Sequence, residues 1–195
     1  MYEGATRARL LEGAVDCVRR DGLVGATSRA ITTTAGANLG AITYYFGSKD
    51  ALLAEALLGV IRQQLDPVLT ILSGADGDAR GRMLAAVAAL LSGFEAVRQD
   101  APVYLEALVN AARFPALAAG LSGLLAQLRR FLAEQVAQVK AGEHLPDWID
   151  PRATADLLIA VAHGIVLTAV VDPDGADPAA VAAQFATLLL AVLPT

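Results

Sequence analysis

The sequence predicts an all-α protein of about nine helices. Apolar residues recur at helical spacing almost throughout the 195-residue chain, 41 residues are alanine, and no run of alternating β-branched residues is long enough to make a sheet. With 55% apolar and 18% charged residues the chain has enough hydrophobic side chains to bury a core, which excludes disorder. Cys17 is the one cysteine, so no intrachain disulfide is possible. The net charge of −5, taken as an average, counts against a nucleic-acid binder.

Each helix has its own signals. The first is expected over about 6–20, with Leu10, Leu11, Ala14, Val15, Cys17 and Val18 as its apolar face and Asp21-Gly22 as its stop. A short second helix runs from about 27 to 35, capped by Thr27 or Ser28 and ended by Gly36. Asn38 caps a short third helix through Tyr45, and Ser48 caps a long fourth. Further helices are expected over about 79–98, 100–112, 115–141, 151–171 and 178–192, separated by loops at 74–77, 142–150 and the Asp172-Pro173-Asp174-Gly175 turn. Trp148 is expected to pack its loop down.

The second and third helices carry the functional signal. Ile31, Ala35, Ala37, Ile42 and Phe46 are spaced to bury one face of each against the first helix, with a tight turn at Gly36 between them. That is the patterning of a helix-turn-helix, whose second helix is free to enter a major groove. The block from Ala35 to Leu53, ending Tyr45-Phe46-Gly47-Ser48-Lys49-Asp50-Ala51-Leu52, resembles the TetR family of bacterial transcriptional regulators. The resemblance extends back to Arg7 and covers about the first 57 residues.

The resemblance implies DNA-contact roles. Arg29 falls where the family often touches DNA, and Thr27 and Ser28 lie at the same helix N-terminus, where an anion is favoured. Asn38 opens the third helix, on which Leu39, Gly40, Ala41, Thr43 and Tyr44 are the groove-facing candidates, while Tyr45 and Lys49 match phosphate-holding positions. Thr27 as a simple cap and Tyr45 as packing are the alternative readings; Ile42 and Phe46 are core in either. The family often has threonine at position 41 and tyrosine at 43, so Leu39-Gly40-Ala41 leaves little hydrogen-bonding capacity for reading bases.

The acidity is unevenly distributed and does not count against DNA binding by the N-terminal part. Residues 1–50 carry a net +1 and the other 145 carry −6. The domain expectation is a helix-turn-helix DNA-binding domain at 1–47 and a helical ligand-binding and dimerisation domain at 48–195.

In the second domain, Met83, Val87, Phe94, Tyr104, Leu108, Phe131, His163 and Leu167 are candidate lining residues for a small, largely hydrophobic effector. Val181, Phe185, Leu188 and Val192 form an apolar stripe, widened by Ala182 and Leu189, that suits a four-helix homodimer interface. The two most apolar helices are read as buried in protein rather than as membrane spans, because Leu157–Val171 is only 15 residues long and Gln184 and Pro194 interrupt the last run. No signal-peptide core opens the chain, so the expected location is cytoplasmic.

Catalytic and cofactor motifs are missing from the sequence. His144, His163 and Cys17 do not make a usual zinc site, Asp76-Gly77-Asp78 lacks the rest of a calcium loop, and no phosphate loop or nucleophile elbow occurs. No metal and no cofactor is expected, and no enzymatic activity. The functional expectation is a ligand-responsive repressor that binds palindromic operator DNA as a dimer and is released by its effector. The alternatives are an activator or effector-independent regulator of the same fold, or a helical small-molecule-binding protein without DNA function.

Overall fold

The computed structural model describes residues 2–73, 81, 100–143, 145–175 and 177–191. Among them the fold is all-α, in eight α-helices: α1 (Tyr2–Gly25), α2 (Ser28–Thr34), α3 (Gly40–Phe46), α4 (Lys49–Ser73), α5 (helical at 100–110), α6 (Pro115–Glu143), α7 (Pro151–Val171) and α8 (Pro178–Ala191). A single 3-10 turn, Ala111–Arg113, joins α5 to α6. The expected helix over 79–98 lies outside the described residues except for Gly81, which is helical.

The chain packs as two compact units. One comprises Met1–Gln63 with Pro102–Gly123, the other Gln64–Ala101 with Leu124–Thr195.

In the first unit, Leu10, Ala14, Cys17 and Val18 put one stripe of α1 into the core, at the spacing that brings side chains to a single helix face. Ile31 of α2, Ile42 of α3, Leu52, Leu53 and Leu57 of α4, Val103 and Ala107 of α5, and Leu117 of α6 complete it. Full burial of one such leucine contributes about 1.5–3 kcal/mol. Helix α6 comes close to α4 at Gly120, where a Cβ would fall on the Leu58 side chain.

The ends of α1 differ from expectation. It begins at Tyr2, and helical turns resume past the expected stop as far as Gly25. Gly22 does break the helix, at φ 71° and ψ 174°, a conformation that side-chain-bearing residues rarely adopt. The segment beyond the break is held down because Leu23 and Ala26 are buried.

In the second unit, Arg129 of α6 pairs with Asp156 of α7 at 2.5 Å. Lys140 Nζ donates to the carbonyl oxygens of Asp147 (3.1 Å) and Ile149 (2.9 Å), tying the loop before α7 to α6. The Asp150 side chain accepts from Ala153 N (2.6 Å) and Pro151 occupies the first turn, so α7 starts on both of the usual N-terminal signals. Asp177 caps α8 in the same way, accepting from Ala180 N at 2.9 Å.

One expectation fails here. Trp148 does not pack its loop down: the side chain is 74% exposed, and the Lys140 bonds hold the loop instead. Helix α7 is not buried within one chain. Its buried residues are Ala155 and Ile159, while Leu157, Leu167, Val170 and Val171 are exposed. Among the described residues α7 is the one unbroken helix long and apolar enough to cross a membrane. The neighbour it packs on within the unit, α8, covers only part of its apolar circumference, which leaves a shallow apolar groove lined by Val161, Ile165, Thr168, Pro178 and Val181.

Candidate nucleic-acid interface

The helix-turn-helix is built from α2, the turn at Gly36, and α3. Thr27 takes an extended conformation and its side chain accepts from Ala30 N at 3.2 Å, so it caps α2. Its hydroxyl is exposed and keeps its own proton available to an outside acceptor. Thr32 is buried and donates back to the carbonyl oxygens of Ser28 (2.9 Å) and Arg29 (3.2 Å), which satisfies its hydroxyl inside the core. Gly36 makes the turn at φ 58°, and Ala37 N closes it on the Thr32 carbonyl at 2.9 Å.

Asn38 Oδ1 accepts from Ala41 N at 2.9 Å, which is how the sequence stops turning and begins α3. At the far end Gly47 has φ 75°, and Ser48 Oγ accepts from Ala51 N at 3.1 Å to start α4.

These turns fix which side chains face out. Arg29, Asn38, Leu39, Gly40, Thr43 and Tyr44 are exposed, with Tyr44 at 71%; Ser28, Tyr45 and Lys49 are half-buried. Ala41 is a correction: it is 8% exposed and turns into the core beside Ile42, because the Asn38 cap sets the helical phase so that 41 and 42 point inward together. Its methyl therefore has no open path to a groove. Phe46 is also corrected, being half-buried rather than core. It ends α3, and the Arg7 guanidinium lies over its ring at 4.9 Å from the centroid. Arg7 also pairs with Glu55 of α4 at 2.5 Å. Sequence reading missed this contact, since 48 residues separate Arg7 from Glu55 and no local pattern links them.

The other expected sites are spread over both units. Tyr104 and Leu108 are half-buried in the first; burial pushes the Tyr104 phenol up to about 12. Phe131 and His163 are half-buried in the second, where His163 Nδ1 lies 2.6 Å from the Ile159 carbonyl. Leu167 is exposed rather than enclosed, because it falls on the uncovered face of α7. Met83, Val87 and Phe94 lie outside the described residues. In the apolar stripe of α8, Val181 is 53% and Leu188 57% exposed, Phe185 is half-buried, Ala182 is buried, and Val192 lies outside the described residues.

Comparison with known proteins matches this architecture. Residues 10–56 match the model of the bacterial regulatory proteins of the tetR family, and residues 79–194 match that of the BetI-type transcriptional repressor C-terminal region. The HTH-type transcriptional regulator BetI of Paraburkholderia phytofirmans is 31% identical over 97 residues, 50% of this chain and 48% of that protein. The chain thus spans about half the length of the curated relatives it matches. Among solved structures, a transcriptional regulator from Pseudomonas aeruginosa PAO1 is 25% identical with a TM-score of 0.84, covering 95% of this chain and 88% of that one. A regulator from Saccharomonospora viridis, solved in complex with choline, is 21% identical with a TM-score of 0.78, covering 97% and 98%. A helix-turn-helix with its second helix facing outward, joined to a C-terminal region of BetI type, identifies the chain as a transcriptional regulator of the TetR family.

Proposed function

We propose that the chain acts as a ligand-responsive repressor that binds palindromic operator DNA as a homodimer and is released by a small, largely hydrophobic effector. The observation that carries the DNA reading is the outward face of α3, where Thr43 and Tyr44 stand exposed beyond a buried Ala41-Ile42 pair. Thr27, Ser28 and Arg29 at the start of α2, and Tyr45 and Lys49 after them, are the phosphate-side candidates. With Ala41 turned inward, base reading falls to Arg29, Thr43, Tyr44 and apolar contact from Leu39.

The exposed apolar residues of α7 and α8 support the homodimer. An apolar surface of this kind left open on one chain is the sort that a second copy covers. A symmetric dimer would then present two α3 helices to the two halves of a palindrome. Residues 1–47 would serve as the DNA-binding part and 48–195 as the effector-binding and dimerising part.

A mobility-shift titration against the DNA upstream of the chain's own gene, at low and high salt, tests the proposal. Salt-sensitive, sequence-selective binding supports it, and binding indifferent to sequence removes it. Candidate effectors are added to the same assay. Choline belongs among them because the S. viridis regulator holds it, and release of the DNA identifies the ligand class.

A further inference from the structure

A contact system drawn from three helices lies behind the exposed face of α3. Arg7 of α1 lies with its guanidinium over the Phe46 ring at the end of α3, 4.9 Å from the centroid, and pairs with Glu55 of α4. Phe46 meets Tyr45 at 6.5 Å between ring centroids, inclined at 62°, and Tyr45 meets Tyr44 edge-on at 4.8 Å and 88°. The contacts therefore run from Glu55 through Arg7, Phe46 and Tyr45 to Tyr44, which stands beside Thr43 on the exposed face.

We propose that Arg7 is a positioning residue for α3, one that sets sequence discrimination through the aromatic run rather than by contact with DNA. The inference rests on the DNA-binding function proposed above. Helix α3 has only seven residues and no acidic or basic residue in its end turns. Such a helix does not hold itself together, and its geometry comes from what it packs on. Ala41 and Ile42 fix its first half in the core. Its second half ends in the half-buried Phe46, whose ring is covered by a cation brought from α1 and oriented by a carboxylate from α4.

Arginine suits this place because its planar group can stack on a ring and bond a carboxylate at the same time, which a lysine ammonium does poorly. The Arg7 and Glu55 side chains are both about two-fifths exposed, so the pair adds little to stability. Glu55 also offsets the charge that a phosphate contact would use. What the arrangement supplies is a fixed angle for the aromatic run.

The test uses the full chain, with duplexes selected from a random-sequence pool by the wild type and a scrambled duplex of equal length. For Arg7→Lys, affinity for the selected duplex should fall roughly 5- to 30-fold, the size of one weakened base contact. Affinity for the scrambled duplex and the slope of affinity against salt should stay unchanged. A direct phosphate contact predicts another pattern: lysine substitutes well, and Arg7→Gln weakens both duplexes alike and lowers the salt slope by about 1. That pattern overturns the proposal. Phe46→Leu keeps an apolar side chain but removes the ring, so it should reproduce the Arg7→Lys loss, and the double variant should be no worse than either single one within about 2-fold. Additive losses overturn the relay. If the wild type selects no duplex, the DNA-binding function itself falls and this inference with it; if it selects one and Arg7→Lys and Phe46→Leu leave the discrimination intact, only the positioning role falls.

Discussion

Glu106 Oε2 accepts a hydrogen bond from the backbone N–H of Leu23 at 3.3 Å, so a side chain of α5 is fastened to the point where α1 breaks. Asn110, one turn further along α5, donates to the same oxygen at 3.1 Å and to the Glu106 carbonyl at 3.0 Å, which holds the carboxylate in place. Gly22 leaves helical geometry immediately before Leu23, and Glu106 supplies an acceptor for the Leu23 N–H at that break. The bond joins the region that matches the tetR-family model to the region of BetI type.

Removing either half of this arrangement should destabilise the first unit. Glu106→Ala removes the acceptor of a part-buried N–H, at a cost of about 1–3 kcal/mol, while Glu106→Gln keeps an acceptor and should cost less. Gly22→Ala should cost about 1–3 kcal/mol from its φ alone; the new Cβ would sit 3.4 Å from Glu106 Oε1, an ordinary contact. Urea denaturation midpoints of the three variants check the order.

Arg29→Ala and Lys49→Ala should each weaken binding to selected and scrambled duplexes by similar factors. If each removes one phosphate contact, the salt slope drops by about 1 per subunit. Thr43→Ala should instead act mainly on the selected duplex, because the proposed role of its exposed hydroxyl is to read bases. Fluorescence anisotropy titrations at several salt concentrations distinguish the two patterns.

Leu188→Glu together with Val181→Glu should convert a dimer to monomers, since both positions are more than half exposed on one chain and would be desolvated by a partner. Sedimentation velocity reads the oligomeric state. Operator affinity should fall by at least 10-fold in the same variant, because each half-site would then be bound alone. A variant that stays dimeric would move the interface away from α8.

Tyr104 gives the alkaline behaviour a direction. Burial raises its folded-state pKa from 10.0 to about 12, so the unfolded chain loses this proton first as pH rises. Its contribution to stability is complete below pH 10.0 and declines between pH 10.0 and about 12. Denaturation at pH 9 and at pH 11 should show a loss that Tyr104→Phe lessens, and the phenolate absorbance of the native protein should show one tyrosine titrating late.

Local chemistry made much of the fold legible. Thr27, Asn38 and Ser48 cap the helices they were expected to cap, because capping depends on a few neighbouring residues. The Gly22 and Gly36 breaks were equally readable, since positive φ selects glycine. What resisted reading was set at a distance. Ala41 turns inward because of the phase the Asn38 cap imposes, and the partner of the half-buried Phe46 ring is an Arg7 that arrives from α1. The Glu106–Leu23 and Arg7–Glu55 links span 83 and 48 residues and follow no periodicity. The apolar excess of α7 was legible as more than one chain covers; which surface covers it was not, because an apolar helix looks the same in sequence whatever packs on it.

The position of Trp148 gives the protein an optical reporter. It is the chain's one tryptophan and stands in water two residues before the cap of α7. The native emission should therefore lie close to that of the unfolded chain, and fluorescence will follow unfolding poorly. The same indole will respond, by blue shift or by loss of iodide quenching, to any surface that settles against the start of α7.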